Sequence, residues 1–270
     1  MLRINIGCGN KMKISIIAPN LNEAKYLPMF LSSLEHQTFK DFELIIIDGG
    51  SKDESLSIIA SFMANLRIKV IINTRRNIGY VRNIGAWTAN GELMFHTSSD
   101  TYHEPQLLQK IVDYFEQHKD CVALTGRTFP LGTSIFSHLS YHGFDLLRWF
   151  FTRIKFPARK FRPSGSFFVI KKKVFDKVGG FPNVQINEDG LLGQKLDLYC
   201  ILHGCNGAFC LDLFIGHHAK RFETRGGLTT ILFYIYVLGN MFPLLKPFFN
   251  HIERRSAEAF ATRSDLGGDL

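Results

Sequence analysis

The chain has 270 residues, of which 46% are hydrophobic, 13% aromatic and 21% charged. That composition supports one sizeable core, or one core with an appendage, and excludes collagen-like, coiled-coil and wholly disordered chains. Lys and Arg number 32 against 24 Asp and Glu, a formal charge of +8, which favours an anionic partner: a phosphate ligand, an acidic membrane face or a nucleic acid.

Residues 1–12 read as an N-terminal extension. Gly7, Gly9 and Asn10 interrupt any apolar core, so no secretory signal is expected and the bulk of the chain is assigned to the cytosol. Gly7-Cys8-Gly9-Asn10 is not a dinucleotide loop: the G-x-G-x-x-G spacing fails because residue 12 is Met, and a strand begins at Lys13 with no room for a helix.

From Lys13 onward apolar runs alternate with helix-like stretches. Strands are expected at Lys13–Ala18, Phe42–Asp48, Ile68–Ile72, Leu93–His96 and Cys121–Thr125. Helices are expected at Ala24–Leu34, Lys52–Phe62, Tyr80–Ala89 and Glu104–Gln117. Such alternation implies right-handed crossovers and a mostly parallel sheet covered on both faces. Pro105 suits a first helical turn, and Ser51 with Glu54 has the spacing of a capping box. Ligands of such sheets gather beyond the carboxyl ends of the strands. Polar clusters stand at three of those places: Pro19–Glu23, Asp48–Asp53, and Ser98-Ser99-Asp100.

Further on, residues 126–163 are long for a plain loop. Leu139–Phe156 is rich in aromatics and leucine, and Arg148, Arg153, Lys155, Arg159, Lys160 and Arg162 stand against one acid, Asp145. A strand is expected at Phe167–Ile170 and a helix at Leu191–Leu202, preceded by Glu188 and Asp189. The run Ala208–Phe214 leads to His217-His218. Five cysteines cannot all pair within one chain, and the spacing of Cys200, Cys205 and Cys210 matches no zinc motif, which fits a reducing compartment. Leu228–Leu245 has no charged residue and would reach about 27 Å as a helix, just short of a bilayer core. A full span, a membrane-surface or docking helix, and a buried helix all remain open for it. The tail after Arg254 is expected to fray.

Three blocks carry a resemblance. They are ISIIAPNLNEAKYLPMFLSSLEHQTFKDFELIIIDGGSKDES, then NTRRNIGYVRNIGAWTANGELMFHTSSD, then GSFFVIKKKVFDKVGGF followed by Asn187-Glu188-Asp189. Together they cover roughly residues 13–203 and resemble the family 2 glycosyltransferases, inverting enzymes with the GT-A fold. The resemblance implies a GT-A domain over 13–220, with a nucleotide-binding half at 13–125 and an acceptor-binding half at 126–220. A C-terminal helical membrane-associating or docking segment would occupy 221–270. It implies a nucleoside-diphosphate sugar as donor, UDP before other bases, and a divalent cation, Mn2+ or Mg2+.

By the same resemblance, Pro19, Asn20 and Glu23 would line the nucleotide pocket and Asp48 would accept from the base. Arg82 would sit near the donor's phosphates or ribose, and Gly165 would admit the sugar ring. Ser98-Ser99-Asp100 matches the metal-holding D-x-D motif, with Asp100 as its last acid. Asp189 matches the general base. The residue chemistry agrees. A carboxylate accepts from a base N–H but repels phosphate; a guanidinium fork suits phosphate oxygens; hard cations take oxygen donors. Surface, capping and turn roles remain the alternatives for Arg82, Glu23 and Asp48. The chain departs from the pattern at Ser98, where the family has an acid. His217 is the candidate to complete the metal site, while Lys220 and Arg221 could contact a phosphate.

The expected function is therefore transfer of a sugar to a glycan or a polyprenyl-phosphate or glycolipid acceptor, at the cytoplasmic face of a membrane. A catalytically weakened sugar-nucleotide-binding or scaffolding protein is the alternative. No nucleic-acid partner is expected, and the oligomeric state stays open, a dimer included.

Overall fold

The structure is a computed structural model that describes residues 13–132, 135–153, 161–184 and 187–218. The extension 1–12, Lys220, Arg221, Leu228–Leu245 and the tail lie outside the described residues. In chain order the elements are β1 Ile14–Asn20, α1 Leu27–Glu35, β2 Phe42–Asp48, α2 Ser55–Phe62, β3 Ile68–Ile72, α3 Ile78–Thr88, β4 Leu93–His96, β5 Thr101–His103, α4 Leu107–Gln117, β6 Cys121–Pro130, α5 Ile135–Arg153, β7 Phe168–Lys171, α6 Lys172–Val178, α7 Glu188–His203 and β8 Asn206–His217.

One sheet holds all eight strands in the order β3-β2-β1-β4-β7-β6-β8-β5. β1 to β4 pair in parallel, as do β6 and β8. β7 joins the two halves by running antiparallel to β4 and β6, and β5 closes the edge antiparallel to β8. Apolar strands alternate their side chains between two cores, because successive residues of a strand point to opposite faces. Ile14, Ile16, Leu44, Ile46 and Phe95 pack under α1, α2 and α4 with Phe30, Leu31, Ile59 and Ile111. Ile17, Ile45, Ile47 and Met94 face α3, α6 and α7 with Ala86, Phe175, Leu192 and Leu196.

Several boundaries move for identifiable reasons. β1 runs through Pro19 to Asn20, two residues past the expected end. Its ladder with β4 stops at Ile17↔His96, so the missing N–H of Pro19 costs that pairing nothing. β6 runs five residues further because β8 lies alongside as far as Pro130↔His217. The capping box does not form: α2 starts at Ser55 after Glu54, and no side chain caps it. Pro105 lies before α4, where its carbonyl accepts from the Thr38 amide.

Within the stretch 126–163, the described residues include the end of β6 and α5. Arg148, 1% exposed, pins α5 to the sheet. Its guanidinium donates to Asp145 Oδ1 at 2.9 Å, to Thr125 Oγ1 at 2.5 Å and to the Arg162 carbonyl at 2.9 Å. Asp145 also accepts from the Thr128 amide. Burial still pushes the Asp145 carboxyl above its usual range, outweighing the pull of Arg148.

α3 sits close on the sheet because residue 85 has no side chain. A Cβ there would lie 2.4 Å from Ile17 Cγ2 and 2.8 Å from Ile47 Cδ1. Alanine would gain about 1 kcal/mol of helix propensity. It would lose about 1–3 kcal/mol to overpacking between two branched side chains in a filled core. The overlap is severe, so Gly85→Ala is expected to lower the unfolding midpoint in urea; an unchanged or raised midpoint would contradict this packing.

Candidate active site

The parallel strands deliver their carboxyl ends to one edge of the sheet. Asn20 ends β1 opposite Asp48, which ends β2 opposite Ile72 of β3. The loops leaving these ends are stitched together. Asn22 takes a left-handed φ of 52°, and its side chain accepts from the Lys52 amide while its own amide donates to Ser51 Oγ. Asp53 accepts from the Ala24 amide, and Ser55 Oγ from the Glu23 amide. Glu23 thus opens the turn into α1, its carbonyl accepting from the Tyr26 and Leu27 amides.

Asp48 is fully buried. Oδ1 accepts from the Gly50 and Ser51 amides at 2.9 and 2.8 Å, and Oδ2 from Asn20 Nδ2 and Ser51 Oγ at 2.7 and 2.6 Å. Ser51 therefore serves the Asp48 turn instead of capping α2. Four donors fill the carboxylate's lone pairs, so a base N–H would have to replace one of them.

The end of β4 carries the next group. Ser99 Oγ donates to the Pro19 carbonyl, which ties this turn to β1. Asp100 is 9% exposed, and its Oδ1 stands 3.6 Å from His217 Nε2. His217 reaches this place because β8 pairs with β5 at Thr101↔His217. Its Nδ1 shares a 2.8 Å hydrogen bond with the Tyr141 hydroxyl of α5. His218 instead packs on Tyr26, with ring centroids 4.3 Å apart and the planes tilted by 47°. The carbonyl of Ser98 accepts from Thr101 Oγ1.

The third group lies on the α3 side. Arg82 is buried, with Nε donating to Glu188 Oε1 at 3.3 Å and Nη1 to the Thr97 carbonyl at 3.4 Å. Asn187 holds a left-handed φ of 63° at the N-cap of α7, so Glu188 and Asp189 form its first turn. Carboxylates are favoured there by the helix dipole. Asp189 accepts from the Gly165 amide through Oδ2 at 2.8 Å and from the Gly190 amide through Oδ1 at 2.7 Å. Gly165 faces all three charged groups: a Cβ there would stand 3.0 Å from Arg82 Nη2, 3.5 Å from Asp189 Oδ2 and 3.6 Å from Glu188 Oε1.

The expected residues other than Glu23, which is placed by its backbone in the turn into α1, thus form a connected row. Asp48 touches Asn20, Pro19 touches Ser99, Asp100 faces His217, and Thr97 joins through Arg82 to Glu188 beside Asp189 and Gly165. Two further residues belong to this edge. The Asn73 amide donates to the Asp48 carbonyl, and its buried Nδ2 has no partner, like Asn20 Oδ1. Arg76 Nη1 lies 3.5 Å from the Cβ position of Gly49. Both follow β3, a fourth strand end to which the carboxyl-end rule applied equally.

A divalent cation would find Asp100 and His217 here. Among the described residues, no group of three or more His, Cys, Asp or Glu could hold a metal. One carboxylate and one imidazole suit a cation that takes its remaining oxygens from a diphosphate and water, and do not suit one caged by protein alone.

A family model described as Glycosyl transferase family 2 matches residues 15–179, more than half of the chain. A PGL/p-HBAD biosynthesis glycosyltransferase of Mycobacterium tuberculosis (strain ATCC 25177 / H37Ra) is 35% identical over 143 residues, 52% of this chain and 54% of that protein. The poly(ribitol-phosphate) beta-N-acetylglucosaminyltransferase TarS of Staphylococcus aureus (strain Mu50 / ATCC 700699) is 31% identical over 117 residues, 42% of this chain and 20% of TarS. The chain therefore spans about half the length, or less, of these curated relatives. Among solved structures, TarS 1–349 in complex with UDP superposes with a TM-score of 0.61 at 20% identity, over 84% of this chain and 65% of that one. The mannosyltransferase PcManGT from Pyrobaculum calidifontis, in complex with GDP-Man and Mn2+, gives 0.66 at 18% identity, over 97% and 77%. These likenesses establish the GT-A fold, and with the family match over residues 15–179 the chain belongs to glycosyl transferase family 2.

Proposed function

We propose that the protein moves a sugar from UDP to a hydroxyl or phosphate of a glycan or lipid-linked acceptor, with inversion. Residues 13–125 would take the donor and 126–220 the acceptor, at the cytoplasmic face of a membrane. The observation that carries the reading is Asp189: its carboxylate is fixed by two backbone amides beside Arg82, in the same row as Asp48 and Asp100.

In this reading the oxygen of a hydroxyl acceptor attacks the anomeric carbon as its proton passes to Asp189; an anionic phosphate acceptor would attack without that transfer. Each carboxylate oxygen already accepts one amide and keeps a lone pair for that proton. The bond from the anomeric carbon to the diphosphate breaks on the opposite side, and the nucleoside diphosphate leaves. Arg82, held by Glu188, would face the donor across Gly165. Asp100 and His217 would hold Mn2+ or Mg2+, which when bound neutralises charge on a leaving diphosphate. Ser98 adds no charge to that pair.

Support for UDP comes from the flanks of Asp48. Asn20 Oδ1 is a buried acceptor and Asn73 Nδ2 a buried donor, each without a partner. Uracil presents one N–H between two carbonyls, so it can satisfy both. Asn73→Ala is expected to weaken UDP binding about fivefold, the worth of roughly 1 kcal/mol for one hydrogen bond. Titration calorimetry with UDP reads this directly; unchanged affinity would remove Asn73 from the base pocket.

The whole reading is tested by donor-dependent release of nucleoside diphosphate across a small panel of nucleotide sugars. Release from a UDP-sugar supports it. Binding of donors with no release, with or without acceptor, would instead favour the scaffolding alternative that Ser98 raises.

A further inference from the structure

We infer that the outward face of α5 docks the protein on an anionic lipid bilayer. Four large apolar side chains of this helix stand in solvent: Ile135 at 67%, Leu139 at 66%, Leu146 at 63% and Phe150 at 51% exposure. At about 100° per residue they fall within an arc of about 60°, a single stripe roughly 22 Å long. Exposed His142 and Gly143 lie along its flank, and exposed Arg153 ends it with its guanidinium 5.4 Å from the Trp149 ring. The only acid of α5, Asp145, points inward to Arg148 and the Thr128 amide.

Charge chooses the occupant. The stripe is apolar, ends in a cation and carries no anion, and the sequence that follows adds Lys155, Arg159 and Lys160. An apolar face with basic residues at its border matches acyl chains below anionic headgroups. No helix among the described residues is long and apolar enough to cross a membrane, so α5 would lie in the interface plane. Its inner face carries Tyr141, which holds His217 beside Asp100. The bilayer surface and the Asp100 end of the site would then be separated by one helix, about 10 Å. Resting on the transferase reading above, this keeps a lipid-borne acceptor within a helix diameter of the site; the docking itself does not depend on that reading.

The test uses the full chain and vesicles of phosphatidylcholine alone or with about one-third phosphatidylglycerol. Native protein is expected to sediment with the anionic vesicles at least tenfold more strongly than with neutral ones. The double variant Leu139→Glu/Phe150→Glu is expected to lose about tenfold or more of that binding, and Leu139→Ser/Phe150→Ser a smaller share, both with UDP affinity unchanged. Equal sedimentation of native and variant proteins overturns the proposal. So does a native protein that ignores vesicles: a dimer that the variant turns into a monomer would give the stripe to a second copy. New protease cleavage in residues 219–270 of the variant would give it to the chain's own C-terminal part. Vesicle binding that persists while no nucleotide sugar is bound or cleaved would instead sink the transferase reading alone.

Discussion

Asp189→Asn is expected to lower kcat by roughly 10²–10⁴-fold, the usual worth of a positioned general base, with UDP affinity nearly unchanged. The neighbouring acid makes the experiment decisive. Glu188 is committed to Arg82 at 3.3 Å and is 7% exposed, whereas Asp189 is held only by amides that leave lone pairs open. Glu188→Gln keeps the shape and can still accept from Arg82, so it should cost about tenfold or less, mostly through Arg82. Asparagine at 189 loses the proton acceptor and turns an N–H toward one of the two amides, Gly165 or Gly190, so some loss will come from misorientation. Steady-state rates with saturating donor measure both variants. If Glu188→Gln proves the more damaging, the two acids exchange roles; if neither matters, proton transfer to this turn is wrong.

The legible parts of this chain were those set by local pattern. Phe42–Asp48 is an unbroken apolar run closed by Asp-Gly-Gly, and β2 occupies those residues. Asp48 stands at the end of that run, whereas Asp100 and Asp189 are marked by their resemblance to the family's D-x-D and general-base motifs. What escaped was decided by pairing across long sequence distances. Three residues, Thr101–His103, become β5 only because β8 reaches them, and β6 extends past Thr125 for the same reason. Ser51 had the spacing of a cap, but a buried carboxylate three residues earlier competes for its hydroxyl. Asn73 and Arg76 carry no signal in isolation; they gain meaning once Asp48 is seen beside β3. Tyr141 is likewise invisible as a partner of His217 until α5 lies against β8.

Acid should begin to destabilise this protein from about pH 6.5 downward, because two histidines are sealed in the core without charge. His96, at the end of β4, stacks near Phe168 and Phe175 and meets the edge of Phe181, and neither ring nitrogen has a partner. Burial, with the Arg82 charge acting in the same direction, holds its pKa well below the ordinary 6.5. His103 lies between Phe30 and Phe95, its nitrogens near the hydroxyls of Ser33, Thr97 and Thr101. Burial lowers its pKa from 6.5 to about 3. Both rings bind a proton more weakly folded than unfolded. Their contribution is therefore fully present above pH 6.5 and is lost as pH falls, for His103 until about pH 3. A proton bound only by the unfolded chain costs about 1.4 kcal/mol per pH unit, so His103 alone removes about 2–3 kcal/mol between pH 6.5 and 4.5, and His96 acts in the same direction. Against a domain's total of about 5–15 kcal/mol that is a large share. Urea midpoints measured across this window should fall steeply. His96→Phe fits an aromatic surround, removes two orphaned nitrogens and should flatten the slope while raising stability at neutral pH by about 1 kcal/mol or more. A midpoint that stays level from pH 6.5 to 5, or an unchanged slope in the His96→Phe protein, would show that these rings are not the buried neutral groups their packing makes them.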